Sequence, residues 1–201
     1  MDYSKENYQS PSPEIAIWRE HINAVVVERY RDIIIGYVAD FGCNNGIMVQ
    51  IISENPKVTQ VIGFDINEDA LKTARELFPN PKTSFHQFDL VNGEVHSKRN
   101  FFSAAYSFHT LEHIFPEDLP KFLNNIRQFL VPGAPIVFSI PYLHHHEDPN
   151  HTDFYTPDSL KTVLESSSFK TADVYLEGGD TGTIITGLFH APTSYVDARS
   201  Y

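Results

Sequence analysis

Six of the ten histidines in this 201-residue chain fall in two short stretches. His109 and His113 stand in Ser107-Phe108-His109-Thr110-Leu111-Glu112-His113-Ile114, and His144-His145-His146-Glu147-Asp148-Pro149-Asn150-His151 supplies four more. Imidazole changes charge nearest neutral pH, so such clusters suit removal of a proton from an acceptor. A second set is acidic: Asp40 and Asp65 each close a largely apolar segment, and Asp89 closes an alternating one. The lone cysteine, Cys43, has no sequence neighbour that would activate a thiol and reads as a small buried filler.

These groups need elements to bring them together. Trp18, Ile22, Val25 and Val26 recur at helical spacing and predict an amphipathic helix over about residues 13–31. The apolar run 33–40 reads as a buried strand ending on Asp40, and 60–65 as a second ending on Asp65, with a short helix over about 45–55 between them. Asn67 caps the next helix, with Glu68 and Asp69 in its first turn. Residues 84–89 and 102–107 read as strands with little helical signal between them. Leu119, Phe122, Leu123, Ile126, Phe129 and Leu130 give the clearest helical stripe, and 135–140 the fifth strand. Thr156 and Pro157 open a last helix, and strands over about 172–176 and 183–189 follow. Parallel strands need crossovers of this length. The expected fold is α/β: a doubly wound, Rossmann-like, mostly parallel seven-stranded sheet with an antiparallel C-terminal edge.

In such sheets ligands bind beyond the carboxyl ends of the strands, where Asp40, Asp65 and Asp89 fall. The first turn, Asp40-Phe41-Gly42-Cys43-Asn44-Asn45-Gly46, is neither the G-x-G-x-x-G of dinucleotide sites nor a P-loop. A carboxylate there repels a pyrophosphate and attracts an ammonium group. Asp65, nineteen residues after Gly46, has the reach to accept both hydroxyls of a ribose, and Asp89 an exocyclic amine of adenine. A zwitterionic amino acid joined to adenosine satisfies all three, and S-adenosylmethionine is that molecule.

Taken together, Asp40-x-Gly42-Cys43-Asn44-x-Gly46, Gly63-Phe64-Asp65-Ile66, Phe88-Asp89-Leu90, Ser107 to Ile114 and Leu130-Val131-Pro132-Gly133 resemble a class I S-adenosylmethionine-dependent methyltransferase over roughly residues 38–169. Asn44 stands where the family usually has glycine, and asparagine tolerates positive φ. The resemblance implies Asp40, Gly42, Asn44 and Gly46 around the methionine end, with Asp65 and Ile66 at the ribose. It places Asp89 and Leu90 at the adenine edge and Ser107 on the rim of the donor pocket. It also puts His109 and His113 at the acceptor side, where the loop bearing His151 follows strand five; these three are the candidate bases. A second resemblance, of Glu112, His113 and His151 to small-RNA terminal 2′-O-methyltransferases, implies metal-assisted methylation of a diol; no metal is assigned, because His109 stands where that family's other glutamate would be. A non-catalytic, methyltransferase-like binding subunit is the reading outside enzymes.

Fifteen Lys plus Arg against twenty-six Asp plus Glu leave a net charge of −11, which disfavours nucleic acid and favours a small-molecule or glycan acceptor. A hydrophobic share of 41% with 20% charged residues excludes a disordered chain. One cysteine excludes an intrachain disulfide and suits a reducing compartment. The absence of a long apolar run and of a basic-then-apolar start makes a soluble, cytoplasmic protein the expectation, with no membrane partner. Length fits one domain over 1–201, with residues 1–31 as a helical lid on a core of 32–201.

Overall fold

The computed structural model describes residues 13–142, 152, 155–179 and 182–193. Its elements run α1 (Pro13–Arg29), β1 (Gly36–Phe41), α2 (Ile47–Ser53), β2 (Val58–Asp65), α3 (Glu68–Leu77), β3 (Thr83–Gln87), β4 (Ala104–Phe108), α4 (Leu119–Phe129), β5 (Pro135–Pro141), α5 (Pro157–Ser166), β6 (Lys170–Gly179) and β7 (Gly182–His190). One seven-stranded sheet has the order β3-β2-β1-β4-β5-β7-β6. The first five strands are parallel, and β7 pairs antiparallel with both β5 and β6. This is the doubly wound architecture that the strand and helix pattern predicts. The order reverses between β1 and β4, so a crevice opens at the carboxyl ends of those strands.

Alternation along the strands divides the core in two. Ala39 and Phe41 face a cluster with Ile62, Phe64, Phe102, Phe122 and Phe129, in which the Phe64 and Phe129 rings lie 5.0 Å apart. Val38 faces the opposite cluster with Val61, Tyr106, the α1 residues Ile22, Val26 and Val27, and Tyr30 just beyond α1. Asp40, two residues beyond Val38, therefore points to the α1 side of the sheet. Two helix starts form as their residue types dictate. The Asn67 side chain accepts from the backbone of Asp69 and Ala70 at α3, and Thr156 forms a reciprocal capping box with Ser159 at α5.

The isoleucine run is the main departure. β1 begins at Gly36, and Ile33 and Ile34 instead donate to Tyr30 O in a turn after α1. Ile34 is buried while Ile33 and Ile35 are exposed. Gly36, at φ +78°, ends that turn and starts the strand with a register shift. β3 closes at Gln87, two residues before Asp89, which belongs to the following turn. Among the described residues, no helix is long and apolar enough to cross a membrane.

Candidate functional site

The turn after β1 is held by backbone geometry. The N–H groups of Gly42 and Cys43 both donate to Phe64 O, at 2.8 and 3.0 Å. Gly42 sits at φ +81°, and a Cβ there would collide with the Thr110 side chain. Asn44 adopts φ +46°, as its residue type permits. Gly46, at φ +82°, starts α2; a Cβ on it would lie 2.6 Å from the Phe85 ring and 2.8 Å from the Ala74 Cβ. The Cys43 side chain fills the space that the missing Gly63 side chain leaves. Burial pushes its thiol up, and the charges of Asp40 and Asp65 add to the effect.

The three strand-end acids differ in their partners. Asp40 is 1% exposed, and neither carboxylate oxygen has a hydrogen-bond partner among the described residues. Burial, with the neighbouring Asp65 charge, pushes its carboxyl up to about 8. An acid so placed is expensive unless a cation or donor meets it. Asp65 accepts from Asn44 N–H at 2.8 Å on one oxygen and from Asn67 N–H at 2.9 Å on the other. Burial still raises its carboxyl against those hydrogen bonds, and each oxygen keeps a lone pair for a ligand hydroxyl. Asp89 accepts from Val91 N–H, Asn92 N–H and Asn92 Nδ2 at 2.8, 2.9 and 3.0 Å, so its carboxylate also builds its own turn. Ile66 is partly buried beside Asp65, whereas the Leu90 side chain packs into the core and its carbonyl accepts from Asn125 Nδ2 at 3.1 Å.

The end of β4 forms the opposite wall. Ser107 is buried, and its hydroxyl donates to Phe41 O at 3.0 Å, joining β4 to β1. Thr110 Oγ1 reaches the same carbonyl at 3.1 Å, a strut that sequence patterning missed because an isolated threonine carries no spacing signal. His109 adopts φ +50°, with its N–H donating to Ser139 O at 2.8 Å. Its Nδ1 stands 3.6 Å from Glu112 Oε1, and the two side chains are 11% and 3% exposed. Burial would raise the Glu112 carboxyl, but contact with His109 and the charges of His113 and His109 outweigh it and hold the acid below its usual range. His113 ends a single 3₁₀ turn, Leu111–His113, and is partly exposed. Thr152 closes over this turn: its N–H and hydroxyl reach Glu112 O at 2.8 and 3.1 Å, and the hydroxyl reaches Ile114 O at 2.8 Å. His144 to His146 and His151 lie outside the described residues. No group of three or more His, Cys, Asp or Glu is placed to hold a metal among the described residues.

The structure thus gathers Asp40, Gly42, Asn44, Gly46, Asp65, Ile66 and Ser107 at the ends of β1, β2 and β4, with Asp89 and Leu90 after β3. A ligand carrying an ammonium group and a ribose meets what this rim offers, since Asp40 has no donor among the described residues and Asp65 retains acceptor capacity.

Residues 38–133, from β1 to the turn after α4, match the family described as a methyltransferase domain. A curated relative, the tRNA U34 carboxymethyltransferase of Aliarcobacter butzleri (strain RM4018), is 28% identical over 170 residues, which are 84% of this chain and 43% of that protein. The chain therefore spans less than half the length of that relative. Among solved structures, the complex of the Haloferax volcanii Trm112 methyltransferase activator with a candidate methyltransferase aligns at a TM-score of 0.71 and 15% identity, over 89% of this chain and 92% of that one. A SAM-dependent methyltransferase from Archaeoglobus fulgidus aligns at 0.67 and 18% identity, over 88% and 99%. At such identities the structures speak for the fold, and the matched domain and the rim of acids speak for the cofactor. Residues 38–133 are thus similar to a methyltransferase domain, in a fold shared with solved S-adenosylmethionine-dependent methyltransferases.

Proposed function

We propose that this chain moves the methyl group of S-adenosylmethionine to a hydroxyl on a small molecule or sugar. The observation that carries the reading is a histidine, His109, partly buried just after β4 across the crevice from Asp40 and Asp65. The cofactor supplies a methyl carbon activated by a sulfonium. Asp40 accepts from its ammonium group, Asp65 from its ribose hydroxyls, and the Asp89 and Leu90 turn lies along the adenine edge. Gly42 and Gly46 supply the positive-φ backbone of the β1 turn, while Ser107 and Asn44 fix the turn against β4 and β2. A hydroxyl is a weak nucleophile until its proton leaves, so the acceptor side needs a base aligned with the methyl group. His109 is the leading base; His113 and His151 are the others. As the acceptor oxygen bonds to the methyl carbon, the carbon–sulfur bond breaks and the proton passes to imidazole.

A second reading, transfer to a tRNA base or ribose, is favoured by the name of the 28% identical relative. Tritiated S-adenosylmethionine, offered with a panel of hydroxyl metabolites and oligosaccharides and separately with bulk tRNA, each with and without a chelator, distinguishes the readings. Label in the small-molecule panel, insensitive to chelator, is the expected result. Label in tRNA alone overturns the small-molecule acceptor, and loss on chelation points to metal-assisted methylation of a diol.

A further inference from the structure

We propose that the methyl acceptor is an uncharged polyol whose hydroxyls are taken by a row of buried polar side chains under α1, with Thr186 at its centre. The proposal deepens the hydroxyl-transfer reading and rests on it. Strand register lays the row out: Phe108, the last residue of β4, pairs with Ser139, Ser139 with Thr186, and Thr186 with Tyr175. Asp40 pairs with Tyr106, so the row lies two residues beyond that acid, at the carboxyl ends where the crevice opens. All of it is on the α1 side of the sheet. Phe108, Ile184 and Leu188 belong to the core cluster there, Tyr175 packs against it, and the Ser139 hydroxyl donates to Asn23 Oδ1 of α1 at 3.4 Å.

Polar atoms in this row are short of partners. Thr186 is 0% exposed, and its hydroxyl has no hydrogen bond among the described residues. The hydroxyls of Tyr175 and of Tyr30, just beyond α1, adjoin each other, yet both are buried without a well-formed hydrogen bond among the described residues. Protein interiors pair nearly all such atoms. A valine would take the place of Thr186 with the same shape, on a strand where buried Ile184 and Leu188 flank it, so the hydroxyl is the feature that packing leaves unexplained. Asp40, on the same face, is 1% exposed as well, so burial of this kind is common to the donor and acceptor sides.

The donor inventory names the ligand class. A hydroxyl both donates and accepts, and the Asn23 amide offers one group of each kind, so the row suits a ligand with hydroxyls of its own. Arg29, the cation at the outer end, already meets Glu177 Oε1 at 2.8 Å and lies 4.3 Å over the Tyr175 ring. A phosphorylated acceptor would therefore bring a charge that the row does not match. A polyol seated along the row presents a hydroxyl at the end of β4, where His109 follows.

The test is saturation-transfer NMR on the full chain with excess S-adenosylhomocysteine, using myo-inositol, ribitol and methyl α-glucoside as probes beside the monophosphates of inositol and glucose. At least one neutral probe should receive saturation, and neither phosphate should. Thr186→Val should weaken that probe about two- to tenfold, the worth of one neutral hydrogen bond, and Thr186→Ser should keep it. The thermal midpoint of Thr186→Val by circular dichroism should equal or exceed that of wild type. Saturation of no neutral probe, or of the phosphates as strongly, overturns the proposal. So does a Thr186→Val chain that keeps wild-type binding or melts earlier, since the hydroxyl then serves the fold. In the tritium assay, label in a neutral polyol whose KM is unchanged by Thr186→Val defeats the row alone, whereas saturation without label defeats hydroxyl transfer alone.

Discussion

At the scale of single residues, the Asp40 carboxyl controls how the site answers to pH. Its protonated form persists up to about 8 because burial and Asp65 oppose the charge. A ligand ammonium prefers the ionised form, so affinity for S-adenosylhomocysteine should rise about tenfold per pH unit as pH climbs toward 8 and then level off, by linkage. Calorimetry across that range checks it, and Asp40→Asn should flatten the curve. Stability runs the other way. The folded chain holds a proton that the unfolded chain has already released, so the penalty is absent below the ordinary carboxylate range and grows as pH rises through 8. Asp40→Asn should therefore raise the thermal midpoint of the ligand-free chain more at pH 8 than at pH 5. Asp65→Ala should weaken S-adenosylhomocysteine at least tenfold, because charge-assisted bonds to ribose contribute about 1.5–3 kcal/mol each and the Asn44 N–H loses its anchor as well. Asp89→Asn should change affinity less than threefold, since an amide oxygen still accepts from Val91 and Asn92.

Elements decide whether those residues meet. Gly46→Ala would place a Cβ against Phe85 and Ala74 at φ +82°. The left-handed backbone costs about 1–2 kcal/mol and overpacking about 1–3 kcal/mol more, so urea unfolding should show a loss of a few kcal/mol. α1 has a structural share as well. Within the segment read as a lid, Ile22, Val26, Val27 and Tyr30 are buried in the core. A chain starting at Asp32 should lack a cooperative thermal transition by circular dichroism. The strand ends at Asp40 and Asp65 were legible because an apolar run closing on an acid is a local pattern, as was the Asn67 cap. The run 33–35 misled for the same reason: three isoleucines look like a strand wherever they fall, and here Ile33 and Ile34 close a turn onto Tyr30 O instead. Asp40's lack of partners among the described residues, the positive φ of His109 and the Thr110 strut were not legible, since each depends on which strand lies beside which.

Over the whole molecule, the net charge of −11 sets the terms for any large partner. Transfer to a small neutral hydroxyl acceptor should change by less than about twofold between roughly 50 and 200 mM salt, whereas a tRNA acceptor held by phosphate contacts should lose orders of magnitude in affinity. Initial rates at two ionic strengths separate the cases. The insertion of β7 between β5 and β6 has a consequence for how the chain comes to exist. β6 is made before β7 but pairs only with it, and the outer edge of β5, with Ile136, Val137, Phe138 and Ile140 buried, is covered by residues 184–190 alone. During synthesis the parallel half of the sheet can assemble while that edge stays open, and an open apolar edge is a template for pairing with other chains. A ribosome paused just after β6 would therefore hold a nascent chain that needs shielding, and chains released at that point should collect in the insoluble fraction.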